Sequence, residues 1–351
     1  MLGIALFGLG RAGRIHARNI LAHPQCRLLY AIDPSQQAVS TFNEVIPTAA
    51  NNIHVIVSCD AADLDCVFND TSVEAVFVCS TTGSHYEIAR RAILCGKAVF
   101  CEKPISVDVE ETEALYRMAL AKNIPLHCSF NRRFDPQVCE MYDHLQSGNL
   151  GSIHVVKTCS RDHPCPSTKF LRESGGFFHD CATHDLDMIC WLVGAMPQRV
   201  FVTATTQDES IRELNDVDTA VIVLNFPSRT PSEPGPIAIV DISRHGCYGY
   251  DQRVEILTDG GMLRSENQQA SGIVLSIPGA TQSAPIKDSF PQRYDESYVQ
   301  SLNVFVKCVL EKRPAEISGH DVINISRLAH ACDESLKSGQ PVDFQSIKLD
   351  F

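Results

Sequence analysis

Short apolar segments alternate with longer amphipathic segments through the first 127 or so residues. The predicted strands are Ile4–Phe7, Leu28–Ile32, Val55–Val57, Ala75–Cys79, Ala98–Phe100 and Pro125–Cys128. The predicted helices between them are Arg11–Ala22, Ala62–Asn69, Ser84–Cys95 and Val109–Lys122. Because the apolar residues in these strands are consecutive rather than alternating, both faces of the sheet should be covered by helices. The pattern therefore predicts a parallel α/β domain over residues 1–127.

The pattern changes after about residue 128. The later strands are longer and alternate more regularly, as expected for antiparallel strands with one covered face: Ile153–Cys159, Val200–Thr205, Thr219–Phe226, Ile237–Ser243 and Arg253–Thr258. Two late helices are predicted over Glu296–Glu311 and His320–Lys337. We therefore expect residues 128–351 to form an α+β domain on a large, mostly antiparallel sheet. A large sheet without helices on one face needs a partner, which favours a homo-oligomer, either a dimer or a tetramer, formed through this sheet.

One segment interrupts the second half. Pro227–Pro236 is rich in proline and joins two of the predicted strands. This composition indicates an exposed hairpin loop rather than a domain linker.

Composition narrows the class of protein. The 351 residues carry a net charge of −12, which argues against a nucleic acid or an anionic membrane as the main partner. No segment reaches the roughly 18–20 apolar residues of a membrane span. The first ten residues lack a basic start and contain glycines, so we expect a buried strand there and a cytoplasmic protein. The 15 scattered cysteines contain no C-x-x-C pair, which favours reduced thiols over a disulfide framework.

A glycine-rich turn follows the first predicted strand. Gly8, Gly10 and Gly13 form G-x-G-x-x-G with Arg11 and Ala12 between the last two, and a helix starts there. In this context the glycines permit a tight turn, a close approach to a pyrophosphate and close helix–strand packing. The free N–H groups at the helix start favour the phosphates.

The second predicted strand ends in Asp33, about 20 residues after the last glycine, as this type of cofactor site requires. Its carboxylate can accept hydrogen bonds from the adenosine ribose, and its charge repels a 2′-phosphate. The sequence therefore predicts NAD rather than NADP. A structural glycine turn with an acidic cap is the alternative.

Ser80 and Thr81 follow the fourth predicted strand, and His85 comes shortly after. Open α/β sheets bind ligands at the carboxyl ends of their strands, so these residues are candidates for the cofactor site. Equally, Ser84 could simply cap a helix.

Glu102-Lys103-Pro104 follows the fifth predicted strand. A lysine at that position is expected to point toward a bound nicotinamide, with the proline fixing the backbone. The alternative is a surface ion pair.

The segment Gly175–Gly194 is predicted to be a helix with glycines at both ends. Asp180, His184 and Asp187 are spaced to share one face, away from an apolar face. An aspartate one turn from a histidine can fix its tautomer and raise its basicity, as a general base requires. One alternative is a solvated face. The other is a metal cluster, because this segment holds several residues of metal-ligand type: His179, Asp180, His184, Asp185 and Asp187. Because no metal-ligand spacing is present, we expect no metal.

Together these residues resemble the Gfo/Idh/MocA oxidoreductase family, over most of the chain. Members carry an E-K-P motif in an N-terminal dinucleotide domain and an Asp-x-x-x-His helix in a C-terminal α/β domain. Within that family the chain is similar to inositol 2-dehydrogenases in five segments: Gly8–His16, Phe130–Asp135, Asp180–Gly194, Tyr248–Glu255 and Arg293–Tyr298. The proline-rich loop and the high cysteine content depart from the family.

The resemblance implies a role for each catalytic candidate. Lys103 would hydrogen-bond the reacting hydroxyl and contact the nicotinamide, with Glu102 beside it in the cofactor site. His184 would be the general base of the oxidation, and Asp180 would orient His184 and bind a neighbouring hydroxyl.

The same resemblance implies that one of Arg132 and Arg133, and one of Tyr248 and Tyr250, bind further hydroxyls of a polyol. An Arg–Asp surface pair and packing on the sheet are the respective alternatives.

The implied activity is NAD-dependent oxidation of one secondary hydroxyl of a cyclitol, with myo-inositol and its 2-keto product (scyllo-inosose) as the first candidates. Scyllo-inositol, glucose or another aldose, and a dihydrodiol are alternative substrates. A cofactor-binding regulator without turnover is an alternative of another class. It has no need of Lys103, Asp180 and His184 together.

Overall fold

A computed structural model describes residues 1–228 and 234–346 of the chain. They divide into two compact units, one of Met1–Asn131 with Ser297–Ile323, the other of the remaining described residues. The predicted domain boundary after residue 127 stays a prediction.

The first unit contains a six-stranded parallel sheet in the order β3-β2-β1-β4-β5-β6. Its strands are β1 (Leu2–Phe7), β2 (Cys26–Ile32), β3 (His54–Ile56), β4 (Ala75–Val78), β5 (Ala98–Cys101) and β6 (Leu126–Cys128). Its helices are α1 (Arg11–Ala22), α2 (Gln36–Val45), α3 (Ala61–Asn69), α4 (Thr82–Leu94) and α5 (Val109–Ala121). This order is that of a Rossmann fold. Successive strands are added to one side of β1 and then, from β4 onward, to the other side, and the point where this order reverses opens a ligand crevice at the carboxyl ends of β1 and β4.

The six strands and four helices predicted in this half are all present, and α1 has the predicted bounds. Helix α2 was not predicted. Its sequence, QQAVSTFNEV, is mostly polar and buries only Val39 and Phe42, so few apolar residues reveal it. Ser35 starts it by accepting a hydrogen bond from the N–H of Ala38 at 3.3 Å.

The core of the first unit lies against this sheet. The Phe77 and Phe100 rings stack with centroids 4.5 Å apart, and Phe305 meets both edge-on at 5.5 Å. Each fully buried aromatic side chain of this kind contributes roughly 1.5–3 kcal/mol by leaving water. Phe305 belongs to a late helix, which therefore helps to support the first sheet.

The second unit contains a seven-stranded sheet in the order β12-β11-β7-β10-β9-β8-β15, in which only the β7–β10 pair is parallel. Its strands are β7 (Ile153–Arg161), β8 (Arg199–Thr205), β9 (Thr219–Asn225), β10 (Ile237–Ser243), β11 (Asp251–Thr258), β12 (Met262–Ser265) and β15 (Val342–Asp343), and β13 (Val274–Ile277) and β14 (Ala280–Ser283) form a separate hairpin. The predicted fold class, a Rossmann domain followed by an α+β domain on a mostly antiparallel sheet, is confirmed.

The helices after the first sheet are α6 (Pro136–Gln146), α7 (Thr168–Glu173), α8 (Thr183–Val193), α9 (Glu209–Arg212), α10 (Phe290–Arg293), α11 (Asp295–Leu310) and α12 (Gly319–Ser338). A 3-10 turn over Asn131–Phe134 precedes α6, and a π-helical turn over Phe178–Ala182 leads into α8. The prediction of one continuous α-helix from Gly175 to Gly194 is therefore wrong in its first part. Gly194 does end α8, in the left-handed conformation with φ 72°.

Strands β9 and β10 pair antiparallel from Asn225 and Ile237, so the proline-rich segment joins a hairpin as predicted. Residues 229–233 of that segment lie outside the described residues. The structure shows all 15 cysteines as free thiols, of which seven are buried. Within the part of the chain that the structure describes, no helix combines the length and apolar character needed to cross a membrane.

Candidate active site

The glycine turn between β1 and α1 has the shape that a dinucleotide requires. Gly8 has φ +90°, and a Cβ there would lie 2.3 Å from the carbonyl oxygen of Cys79. A Cβ on Gly13 would lie 1.9 Å from the carbonyl oxygen of Gly8, so only glycine lets α1 pack this closely. A Cβ on Gly10 would meet nothing within 4 Å. The space beside Gly10 is therefore open at the start of α1, where a pyrophosphate would approach the backbone.

Asp33 holds this turn from the end of β2. Its Oδ2 accepts a hydrogen bond from the N–H of Leu9 at 2.8 Å, and its Oδ1 accepts one from the N–H of Ser35 at 2.8 Å. Each carboxylate oxygen has a second lone pair, so the partly exposed side chain can still accept the hydroxyls of a ribose. The residues of the turn thus fit NAD.

The loop after β4 is tied to the Glu102-Lys103-Pro104 loop by His85. The buried ring lies between two carbonyl oxygens, with Nδ1 2.8 Å from Pro104 and Nε2 3.1 Å from Ser80. Burial lowers the pKa of His85, more than these hydrogen bonds raise it. His85 therefore fixes the relation of the two loops. Thr81 is the residue before α4, and Ser84 lies within its first turn, so Ser84 is not the helix cap.

Glu102 is anchored by a fully buried histidine. His16 Nε2 lies 2.7 Å from Glu102 Oε1, and the hydroxyl of Ser129 donates to the same oxygen at 3.1 Å. Burial would raise the pKa of Glu102, but the hydrogen bond and charge of His16, the charge of Lys103 and the Ser129 bond lower it overall. The charged Glu102 therefore fixes the loop that carries Lys103, which is itself partly exposed.

Asp180 lies in the π-helical turn and is paired with an arginine that the sequence analysis missed. Arg244 Nη1 donates to Asp180 Oδ2 at 3.0 Å, and the Arg244 side chain is fully buried over the ring of Phe177. Burial would lower the pKa of Arg244, but the surrounding acidic groups raise it overall. The one clue to Arg244 in the sequence was that it directly follows the strand β10.

Asp162, which is partly exposed, is a second acid near Asp180. Burial raises the pKa of Asp162, as does the charge of Asp180, although Arg244 opposes the shift. Cys181 donates its thiol hydrogen to Asp162 Oδ2 at 3.4 Å. His184 is the second residue of α8, just after this turn, and is partly exposed, whereas Asp185 is fully buried. The turn therefore presents an acid and an imidazole close together in the chain, with the acid held by Arg244.

Arg132 and Arg133 both form buried ion pairs with α8. Arg132 Nη1 lies 3.1 Å from Asp185 Oδ2, while Arg133 binds Asp187 with two nitrogens, at 2.6 and 2.9 Å. The alternative of an Arg–Asp surface pair within this segment is wrong, because Asp135 pairs with another arginine, Arg293, at 2.6 Å.

These pairs also change the interpretation of α8. Asp180, Asp185 and Asp187 each face a different arginine rather than one another. The alternative metal cluster on this helix is therefore not formed by these three carboxylates. The face shared by Asp180, His184 and Asp187 was expected for a regular α-helix, and the π-helical turn changes that spacing.

The two tyrosines differ in exposure. Tyr248 is 57% exposed and donates its hydroxyl to Asp251 Oδ2 at 2.6 Å. Burial and this hydrogen bond raise the pKa of Tyr248 to about 12. Tyr250 is 7% exposed, and its ring meets Tyr294 edge-on at 6.1 Å. Tyr250 thus packs in the interior of its unit.

Comparison with known proteins places the chain in a family. Residues 2–130 match the NAD-binding Rossmann fold of the Gfo/Idh/MocA oxidoreductase family, and residues 143–344 match the C-terminal alpha/beta domain of the same family. The fold and the site define an NAD-dependent dehydrogenase acting on CH–OH groups. The chain belongs to the Gfo/Idh/MocA oxidoreductase family, as its motifs predicted.

Three relatives illustrate the likeness. The chain is 32% identical to myo-inositol 2-dehydrogenase of Thermotoga maritima, over 98% of this chain and 99% of the relative. It is 27% identical to scyllo-inositol 2-dehydrogenase (NAD(+)) of Bacillus subtilis, over 96% and 95%. The crystal structure of a myo-inositol dehydrogenase from Corynebacterium glutamicum matches with a TM-score of 0.87 at 30% identity, covering 99% of this chain and all of that one.

Proposed function

We propose that the protein oxidises one secondary hydroxyl of a cyclitol, with myo-inositol as the substrate and 2-keto-myo-inositol as the product. The observation that carries the proposal is the Asp180–His184 segment, in which Arg244 pairs with the acid and a partly exposed imidazole follows four residues later in the chain. Full-length likeness to relatives named for inositols supports the choice of substrate.

The roles follow from the residues. NAD, when bound, accepts a hydride from the carbinol carbon. The glycine turn and Asp33 would hold its pyrophosphate and ribose, and Arg11, Ala12, Ser80 and Thr81 are the further candidates around it. His184 takes the hydroxyl proton during oxidation and returns it during reduction. Lys103 donates a hydrogen bond to the reacting oxygen, and Glu102 fixes its loop.

Asp180 binds a neighbouring hydroxyl and orients His184. A carboxylate paired with a buried arginine is a strong acceptor for a polyol hydroxyl. For Tyr248 and Tyr250, and for Arg132 and Arg133, a role in binding hydroxyls stays a prediction. Tyr248, which is largely exposed, fits that role better than the packed Tyr250 does.

The sheet of the second unit supports a homo-oligomer. Phe201, Val223 and Ile239 lie side by side in register on one face, and Lys157 and Glu255 continue the row. Phe201 is 36% exposed, although it is a large apolar side chain. We propose that a second copy of the chain covers this face. Light scattering during size-exclusion chromatography should give the mass of a dimer or a tetramer, and a monomer would contradict the proposal.

A panel of polyols tests the substrate. The purified protein is offered myo-inositol, scyllo-inositol, glucose and a dihydrodiol, each with NAD and with NADP, and the reduced cofactor is followed by absorbance. We expect kcat/KM to be highest for myo-inositol with NAD. Scyllo-inositol is the second candidate because the Bacillus subtilis relative bears that name. NAD binding without turnover of any compound would instead favour a cofactor-binding regulator.

A further inference from the structure

Three side chains of metal-binding type come together in the second unit, apart from the residues assigned to the reaction. His179, His330 and Asp333 each offer a ligand atom, and these atoms all lie within 4.8 Å of one another. His179 Nε2 is 3.2 Å from Asp333 Oδ2, and the His179 and His330 rings meet edge-on with centroids 4.4 Å apart. The cluster thus presents two imidazoles and a carboxylate to one point.

Two local features build this cluster. His330 and Asp333 are three residues apart on α12, so they are neighbours on one face of the helix. An i, i+3 carboxylate–histidine pair on a helix is a recurrent way of supplying two ligands to one metal ion. His179 comes from the π-helical turn Phe178–Ala182, so a segment distant in the chain supplies the third ligand.

The spacing suits a small divalent transition-metal ion. Bonds of about 2.0–2.2 Å from zinc to nitrogen and oxygen place two tetrahedral ligands roughly 3.3–3.6 Å apart. The 3.2 Å between His179 Nε2 and Asp333 Oδ2 is close to the lower end of this range. The ligand atom of His330, an exposed residue, lies within 4.8 Å of the other two. Two imidazoles with one carboxylate favour zinc and its neighbours over magnesium or calcium.

We propose that His179, His330 and Asp333 bind one divalent transition-metal ion, with zinc preferred. His179 is 4% exposed and His330 lies at the surface, so the ion would sit at the edge of the fold with its remaining coordination position toward solvent. The ion fastens α12 to the turn that carries Asp180. It takes no part in hydride or proton transfer, and the inference does not depend on the substrate.

Metal titration tests the proposal. The chain is freed of metal with a chelator, and zinc binding is measured by calorimetry for the wild type and for His330→Ala. Because His330 is exposed, its replacement should leave the fold intact, which the melting temperature in chelator verifies. We expect one zinc ion per wild-type chain and at least a tenfold weaker affinity in His330→Ala. Zinc should also raise the melting temperature of the wild type but not of the variant.

His320→Ala is the matched control, because His320 is a histidine at the other end of α12. It should bind zinc as the wild type does. Cobalt(II) absorption provides a second measurement, because thiolate ligands give intense charge-transfer bands that nitrogen and oxygen ligands lack. Equal zinc affinity in the wild type and His330→Ala, or thiolate bands in the cobalt spectrum, would overturn the proposal. Either result would leave the proposed dehydrogenase activity standing.

Discussion

The two units present their polar groups in different ways. In the first, the candidate cofactor site is formed largely by backbone: a glycine turn, a helix start and an aspartate that accepts from the N–H of Leu9. In the second, the candidate catalytic residues depend on buried side-chain pairs, such as Asp180 with Arg244. A site formed by backbone groups can be predicted from the local sequence. A site held by ion pairs depends on partners far away in the chain.

The largest expected effect is on turnover. His184→Ala removes the proposed general base, and Lys103→Ala removes the donor to the reacting oxygen. In His184→Ala we expect kcat with myo-inositol and NAD to fall by roughly 10²–10⁴-fold. In Lys103→Ala we expect turnover to be abolished. NAD affinity, measured by calorimetry, should change little. His144→Ala, an exposed histidine on α6, is the control. An equal loss of NAD affinity in both active-site variants would refute the assignment.

The second prediction concerns the stability that the buried ion pair of Arg244 and Asp180 gives to the second unit. Arg244→Met leaves Asp180 as an uncompensated buried acid, and breaking such a pair costs roughly 3–5 kcal/mol. The free energy of unfolding from urea titration should fall by that amount. Arg199→Met breaks an exposed pair with Asp343 and should cost less than about 1 kcal/mol.

A second variant keeps this test informative. If Arg244→Met does not fold, Arg244→Lys retains a charge beside Asp180 and should recover part of the stability. An Arg244→Met protein no less stable than Arg199→Met would show that the buried pair does not hold the turn.

Two glycine variants test the proposed cofactor site of the first unit. Gly13→Ala places a Cβ against the Gly8 carbonyl, and overpacking of this kind costs roughly 1–3 kcal/mol. Gly10→Ala has room, so its unfolding free energy should change by less than about 1 kcal/mol. NAD affinity should nevertheless fall in Gly10→Ala, because the methyl group fills the space of the pyrophosphate. Unchanged NAD affinity in Gly10→Ala would contradict the position of the cofactor.

The last prediction concerns how the stability depends on pH. Because the pKa of Glu102 in the folded protein lies below its ordinary value near 4.5, its charged form stabilises the fold above that pH. This contribution is lost as the pH falls below about 4.5 and through the lowered pKa. Glu102→Gln should therefore be less stable than the wild type at pH 6, by roughly 1.5–3 kcal/mol. The difference should shrink toward pH 3, with unfolding followed by circular dichroism.

Glu113→Gln is the control, since Glu113 forms an i, i+4 pair with Arg117 on the surface of α5. Its difference from the wild type should stay small at every pH. A Glu102→Gln deficit that persists undiminished at pH 3 would mean that packing, not charge, anchors the loop.

The sequence predicted the first unit almost completely. The bounds of α1 matched because Gly10 precedes it and apolar residues recur at helical spacing along it. Helix α2 was missed because most of its residues are polar and only Val39 and Phe42 are buried. In the second unit the strands were predicted, since β9 and β10 alternate, but the short strands β12 to β15 were not.

The side-chain pairs were the least predictable part. Asp180 and Arg244 are separated by 64 residues, and nothing local in either segment specifies the other. The π-helical turn over Phe178–Ala182 has no distinct spacing pattern, so a regular helix was predicted there. His179 likewise meets His330 and Asp333 only in the folded chain.

The most direct measurement of the central claim is the transfer of a label. Myo-inositol carrying deuterium on carbon 2 is incubated with the protein and NAD, and the reduced cofactor is analysed by mass spectrometry. We expect one deuterium in each reduced nicotinamide and 2-keto-myo-inositol as the product. Reduced cofactor without deuterium, or no reaction with this cyclitol, would contradict it.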